Sequence, residues 1–251
     1  MLSWAEQRKF LFVGGVIVFL TAVFGVYGFF AFYNAPDCSN NSKDGDERGV
    51  DCGGGCARVC KADVNLPIIH FARALEVKNE VWGAVAYGEN RNVGAGSRRA
   101  PYVFKLYDGK NLLLYERRGV AFIPPGKVFA VFEGKMLSGS RTPSRATFEF
   151  LEEPIFERMI EPILTIDTKD FEASEHGSSL KAIITNPTRT TVEGIKVVAL
   201  LFGTDGNVTG ASATLIASLL AGSSATLTFT WPRELERPAR TEILYTVPWR
   251  N

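Results

Sequence analysis

The stretch Phe10–Tyr33 constrains this chain more than any other. It reads FLFVGGVIVFLTAVFGVYGFFAFY, twenty-four residues without a charge, Asn, Gln, Pro or His. As a helix it would be roughly 36 Å long, enough to cross a hydrocarbon core of about 30 Å with some tilt. A helix also leaves no backbone group unsatisfied in lipid. The competing reading is a core helix of a soluble domain, but every face is apolar and nothing nearby would cover them all. Secretory signal peptides have shorter apolar regions, about 7–15 residues, that end in a small-x-small cleavage site. Here Phe29, Phe30, Phe32 and Tyr33 crowd the far end, as an interfacial aromatic belt does. The stretch therefore reads as an uncleaved signal-anchor that makes the membrane the chain's first partner. Arg8 and Lys9 flank its near end, whereas the far flank opens with Asn34, Ala35, Pro36 and Asp37 and has its first cation at Lys43. The positive-inside rule then makes residues 1–9 a cytoplasmic tail and puts the remainder outside.

Beyond the span, residues 34–63 hold all four cysteines: Cys38, Cys52, Cys56 and Cys60. The window has few apolar side chains and a run Gly53-Gly54-Gly55, so it needs staples in place of a core. An even number of cysteines beside a membrane span suggests disulfides in an oxidising compartment, with three pairings open. Zinc competes weakly, because C-x13-C-x3-C-x3-C lacks paired short knuckles. Calcium competes through the hard oxygens of Asp44, Asp46, Glu47 and Asp51. They do not fit the EF-hand template, since Arg48 stands in place of a third ligand and Gly55 in place of the bidentate Glu. A calcium loop of another kind is compatible with disulfides, and the plain alternative is an acidic, solvated turn.

From Leu66 onward the chain repeats itself. VWGAVAYGENRN, PYVFKLYDGKNLLLYE and FIPPGKVFAVFE are followed, in the same order, by LKAIITNPT, IKVVALLFGTDGNVTG and LLAGSSATLTFTW. Asn90 precedes Tyr107 by 17 positions and Asn186 precedes Phe202 by 16. Ala84 with Ala86, and Ala182 with Ile184, show the period of two of a strand entering an Asn-containing turn. Asp108-Gly109 and Asp205-Gly206 are hairpin signals between apolar runs. Thr226, Thr228 and Thr230 alternate with Leu227, Phe229 and Trp231 as in a half-buried strand. Ala211–Ala221 also suits a helix, but the first copy has a Phe- and Val-rich run in that place, so it reads as strand. The expectation is a mainly β protein: two tandem sandwiches, residues 64–158 and 159–251, of about seven strands each. The charged, proline-bearing run Glu153–Pro162 would be a last strand followed by a short, fairly stiff linker between them.

Two resemblances rest on these residues. Asp44-Gly45, Glu47, Gly49-Val50-Asp51-Cys52-Gly53-Gly54, Cys56 and Cys60 resemble a short cysteine motif of bacterial and other surface proteins, which implies an extracytoplasmic stalk element. Phe104-Lys105-Leu106-Tyr107-Asp108 resembles the signature of the FxLYD family. That resemblance implies immunoglobulin-like sandwiches in bacterial and archaeal envelope proteins without catalytic residues, and makes Phe104, Leu106, Tyr107 and Asp108 core, strand and turn residues. The second copy has Ala199, Leu201, Phe202 and Gly203 at the matching positions, so its likeness lies in the order of elements.

The chemistry that catalysis needs is thin. With 28 basic and 27 acidic residues, net charge +1, there is no global field for nucleic acid. His70 and His176 are far apart in sequence, and neither has a spaced His partner. Glu175-His176-Gly177-Ser178-Ser179 puts acid, imidazole and hydroxyl in one loop, but a triad orients its members from separate elements. There is no Gly-x-Ser-x-Gly, P-loop, HExxH or CxxC. The expectation is a non-enzymatic, membrane-anchored scaffold or interaction module with a protein partner in the cell envelope and no cofactor. Its alternative is a calcium-dependent adhesin or sensor.

Overall fold

The computed structural model describes residues 4–32, 37–78, 80–137, 139 and 141–248. Tyr33 and the flank Asn34–Pro36 lie outside the described residues. The chain divides into two compact units, Met1–Arg58 and Val59–Asn251.

The first unit begins with helix α1, Trp4–Phe32. Within it, Arg8–Ala31 is long and apolar enough to cross a membrane, and none of its most apolar window is covered by protein. Large apolar side chains from Phe10 to Phe30 stand exposed on all sides, an arrangement that water would penalise and hydrocarbon would not. The rest of the unit is a collar of tight turns closed by the Cys38–Cys56 disulfide, whose Cα atoms are 5.6 Å apart. Cys52 and Cys60 are disulfide-bonded too, so the cysteine segment carries two disulfides. The glycines of its GVDCGG run have a steric cause. Gly54 has φ +54°, and a Cβ there would sit 2.1 Å from the carbonyl oxygen of Asp46, closer than any side chain tolerates.

The second unit is built from strands. The first six are β1 (Ile68–Lys78), β2 (Val81–Glu89), β3 (Ala95–Tyr107), β4 (Leu113–Ile123), β5 (Val128–Leu137) and β6 (Arg145–Phe150). A two-residue β7 (Glu157–Arg158) follows, then β8 (Thr165–Ser174), β9 (Gly177–Thr185), β10 (Val192–Phe202), β11 (Val208–Leu219), β12 (Ser224–Trp231) and β13 (Arg240–Thr246). Sheets ordered β1-β2-β5 and β4-β3-β6 form one sandwich; β12-β9-β8 and β11-β10-β13 form the other. Strand for strand the orders are identical, so the repeat seen in the sequence is a repeat of topology. With β7 paired to the start of β3, the first sandwich has seven strands, the number expected, and the second has six. The segment Ala211–Leu219 is strand, as the comparison of copies requires.

Each sandwich has its own core. Ala84, Ala86, Tyr102, Phe104, Leu106, Phe129 and Phe148 fill the first, and Leu180, Ala182, Ile184, Val197, Leu201, Phe229 and Trp231 fill the second. A third cluster joins them. Leu75, Val85 and Ala130 from the outer face of β1-β2-β5 bury against Val198, Leu200, Phe202, Val208 and Ala211 from the outer face of β11-β10-β13. Strands β2, β5 and β10 are therefore buried on both faces, which is why IKVVALLF is almost uninterruptedly apolar. The segment expected as a last strand and a linker holds the strand β7, and the rest of it is tied down. Met159 N–H donates to Gly94 O (3.0 Å), Phe156 is buried, and Glu161 is fixed between the sandwiches.

Candidate functional site

The acidic residues of the collar are loop organisers in this structure. The Asp51 carboxylate accepts from the backbone N–H groups of Asn40 (3.0 Å) and Asn41 (3.0 Å). Glu47 Oε2 accepts from the N–H groups of Asp44 (3.3 Å) and Asp51 (3.2 Å). Asp44 accepts from Asp37 N–H (3.1 Å) and Asn40 Nδ2 (2.6 Å), and Asp46 lies exposed beside the diglycine. Donors thus already occupy part of the acceptor capacity of Asp44, Glu47 and Asp51. Glu47 Oε1 also stands 3.1 Å from Cys56 Sγ. The grouping of Cys38, Glu47 and Cys56 has the compactness of a metal site, but its two sulfurs are bonded to one another and offer no thiolate.

The residues of the Phe104–Asp108 motif divide by face. Phe104 and Leu106 point into the first core, where Phe104 meets Tyr102 and Phe148 at ring distances of 5.6 and 5.0 Å. Tyr107 points outward and carries the Arg145 guanidinium 4.3 Å above its ring. Asp108 closes the β3–β4 hairpin by accepting from the N–H groups of Lys110 and Leu112, both at 2.9 Å, and these bonds hold its carboxyl below the usual range. The second copy repeats the device with other letters. Phe202 lies under Arg240 at 3.8 Å, and Phe202–Arg240 is paired across the sheet as Tyr107–Arg145 is. Asp205 closes the β10–β11 hairpin through Asn207 N–H (2.9 Å), and its carboxyl is lowered in turn, mainly by the Asn207 side chain.

Two groups of residues carry more than the sequence revealed. Asn90 and Asn186, legible only as turn residues, are fully buried. Asn90 Nδ2 donates to Ala95 O (2.8 Å) and Pro124 O (2.7 Å); Asn186 Nδ2 donates to Leu219 O and Leu220 O, both at 3.1 Å. Each pins the same corner of its sandwich. The other group is the joint. Lys127 Nζ lies 2.5 Å from Glu161 Oε2, donates to Tyr245 O (3.2 Å) and sits 3.8 Å over the Tyr245 ring. Glu161 also accepts from Val247 N–H (2.8 Å), and Tyr245 Oη accepts from Leu164 N–H (3.0 Å). Burial pushes the Glu161 carboxyl up against the pull of Lys127. Tyr87 Oη adds a bond across the interface to Glu242 (2.8 Å), and burial with that partner pushes its phenol up to about 12.

The histidines do not converge. His70 faces Glu89 at 3.3 Å on the first sandwich. His176 is exposed at the β8–β9 turn, on an open depression it shares with Glu172, Ser174, Ser178 and Ser179. Ser178 Oγ is spent there accepting from Leu235 N–H (2.8 Å).

No family model matches the chain, and no curated protein matches it. Among solved structures it is similar to a red sea bream transglutaminase, at 10% identity over 73% of this chain and 31% of that chain, TM-score 0.24. It is also similar to a β-glucuronidase from glycoside hydrolase family 2, at 9% identity over 85% of this chain and 29% of that chain, TM-score 0.21. The chain spans about a third of the length of those proteins. Likeness of this degree carries no argument about fold or activity.

Proposed function

We propose that this chain is a membrane-anchored scaffold or protein-interaction module of the cell envelope, with its collar and sandwiches outside the cytoplasm. The observation that carries the reading is α1: a helix of membrane-spanning length whose apolar sides no protein covers, leading directly into a disulfide-closed collar. Disulfides persist in oxidising compartments, which agrees with the direction given by Arg8 and Lys9. Two rigid sandwiches sharing one buried interface suit the presentation of edges and loops better than they suit chemistry, and the exposed turns are where partners would be read. The identity of topology between the copies, and the shared Arg-over-aromatic pairs at Tyr107 and Phe202, support reading both as immunoglobulin-like modules of the FxLYD type.

A reporter fused after Asn251 tests the topology. It should be active as a periplasmic or extracellular fusion and silent as a cytoplasmic one; the reverse would remove both the orientation and the compartment. Mass spectrometry of the membrane-extracted protein should find α1 still attached, and a product beginning beyond Phe32 would make it a cleaved signal.

A further inference from the structure

Because the sandwiches repeat one topology, each edge strand has a counterpart, and the counterparts differ in how they are protected. β4 and β5 form the same side of the first sandwich that β11 and β12 form of the second. Along β4 and β5 stand Glu116, Arg117, Arg118, Glu133 and Lys135, charges of the kind that keep an unpaired edge from accepting a foreign strand. From Gly206 to Pro232 the chain has no charged residue, so β11 and β12 have no such protection.

The free part of the β11 edge can be located. Its one neighbour in the sheet is β10. On the other side, Ala211 O accepts from Trp231 Nε1 (3.1 Å) and Thr209 O from Arg233 (3.4 Å). Alternate residues of a strand turn their N–H and C=O the same way. Ala213, Leu215 and Ala217 therefore present theirs outward, and all three are exposed.

We propose that β11 pairs with β11 of a second copy of this chain, antiparallel, about a two-fold axis at Leu215. An uncharged edge leaves no buried charge unpaired and meets no repulsion from its own copy. Ala213 of one copy would face Ala217 of the other, and side chains this small let two backbones close to pairing distance. β12, equally uncharged, lines the rest of the contact. With the axis at Leu215, residues 211–219 of each copy overlap, and a strip about 30 Å long and 10–15 Å wide buries on the order of 400 Å² per copy, below the standard size of a stable interface. The dimer is thus weak in dilute solution and favoured by confinement to a membrane, the one point at which it rests on the function proposed above.

All four native cysteines are disulfide-bonded, so an introduced cysteine is a sole thiol. Val120 is the internal control. It faces Pro101 on β4 as Leu215 faces Lys196 on β11, and both are exposed, at 51% and 69%. Full-length Leu215→Cys, in detergent and in membranes under mild oxidation, should form a covalent dimer about tenfold faster than Val120→Cys, since opposed strand residues lie within disulfide range. Adding Ala213→Lys should bring the rate down to that of the control. Dimerisation no faster than the control, indifference to Ala213→Lys, or adducts with other proteins in place of the homodimer would each overturn the pairing. Dimers in detergent alongside a cytoplasmic reporter would leave the pairing standing and remove the topology; an external reporter without dimers would do the opposite.

Discussion

Beside the apolar clusters, polar residues tie this protein together where elements meet. Lys127 shows why. Its ammonium balances a carboxylate, Glu161, that is only 6% exposed, and it does so between two sandwiches. Lys127→Ala would strand that charge, at a cost of about 2–3 kcal/mol, below the usual figure for a broken buried pair because Lys127 itself remains 29% exposed. Adding Glu161→Gln should recover much of the loss, and denaturant midpoints at unchanged slope would measure both; equal destabilisation by the single and double variants would mean that the pair is not the cause. The tyrosines set a pH limit. Tyr87 is pushed up to about 12 from an ordinary value near 10, and burial also raises Tyr102 and Tyr245. A phenol that holds its proton more tightly when folded stabilises the fold fully below pH 10 and loses that contribution as the pH climbs toward 12. Melting temperature should therefore fall over that window, and Tyr87→Phe should flatten part of the fall.

At the scale of elements, what the sequence displayed was whatever local chemistry decides. The period of two at Ala84 and Ala86 led to core positions, and Asp108 and Asp205 became hairpin residues because a short carboxylate can close its own turn. Hidden was whatever depends on the far side of a strand. Val85, between those alanines, is as buried as they are, but its cover comes from Leu200 and its neighbours, more than a hundred residues away. Asn90 and Asn186 looked like turn formers, and only the corners folded over them make them buried ties. Among the cysteines, spacing left three pairings open; the structure joins Cys38 to Cys56 through turns that depend on diglycine backbone angles. The collar's acids were read as possible calcium ligands from their number alone. With backbone N–H groups already on Asp51 and Glu47, added calcium should leave the melting temperature of the full chain unchanged, whereas Asp51→Ala should lower it by releasing the turn at Asn40 and Asn41. A calcium-dependent rise that Asp51→Ala abolishes would instead support the ligand reading.

For the molecule as a whole, the sandwiches stack in one sense: the β1-β2-β5 sheet of the first meets the β11-β10-β13 sheet of the second. Such a contact is not symmetric, and repeated in copy after copy it would build an open array. The chain prevents this with two substitutions that its own repeat exposes. Where β10 puts Leu200 into the interface, the register of β3 puts Lys105 on the outer face; where β2 puts Val85, β9 puts Lys181. The outer faces are thus polar ends, as terminal units of repeat proteins need to be. The same comparison identifies the residue on which joint behaviour depends. If the third cluster couples the sandwiches, they unfold together, and calorimetry of the membrane-extracted protein should show one transition for the β portion. Leu200→Lys puts the outer-face residue into the inner interface. It should bury an ammonium against Val85 and Ala130, beside Glu242 across the sheet, which already serves Tyr87 and Arg240, and cost about 2–4 kcal/mol if the interface stays closed, so the interface should open. The transition should then divide in two, each sandwich melting on its own core. A single transition merely shifted downward would mean instead that neither sandwich holds without the other, and that the chain beyond the collar is one folding unit.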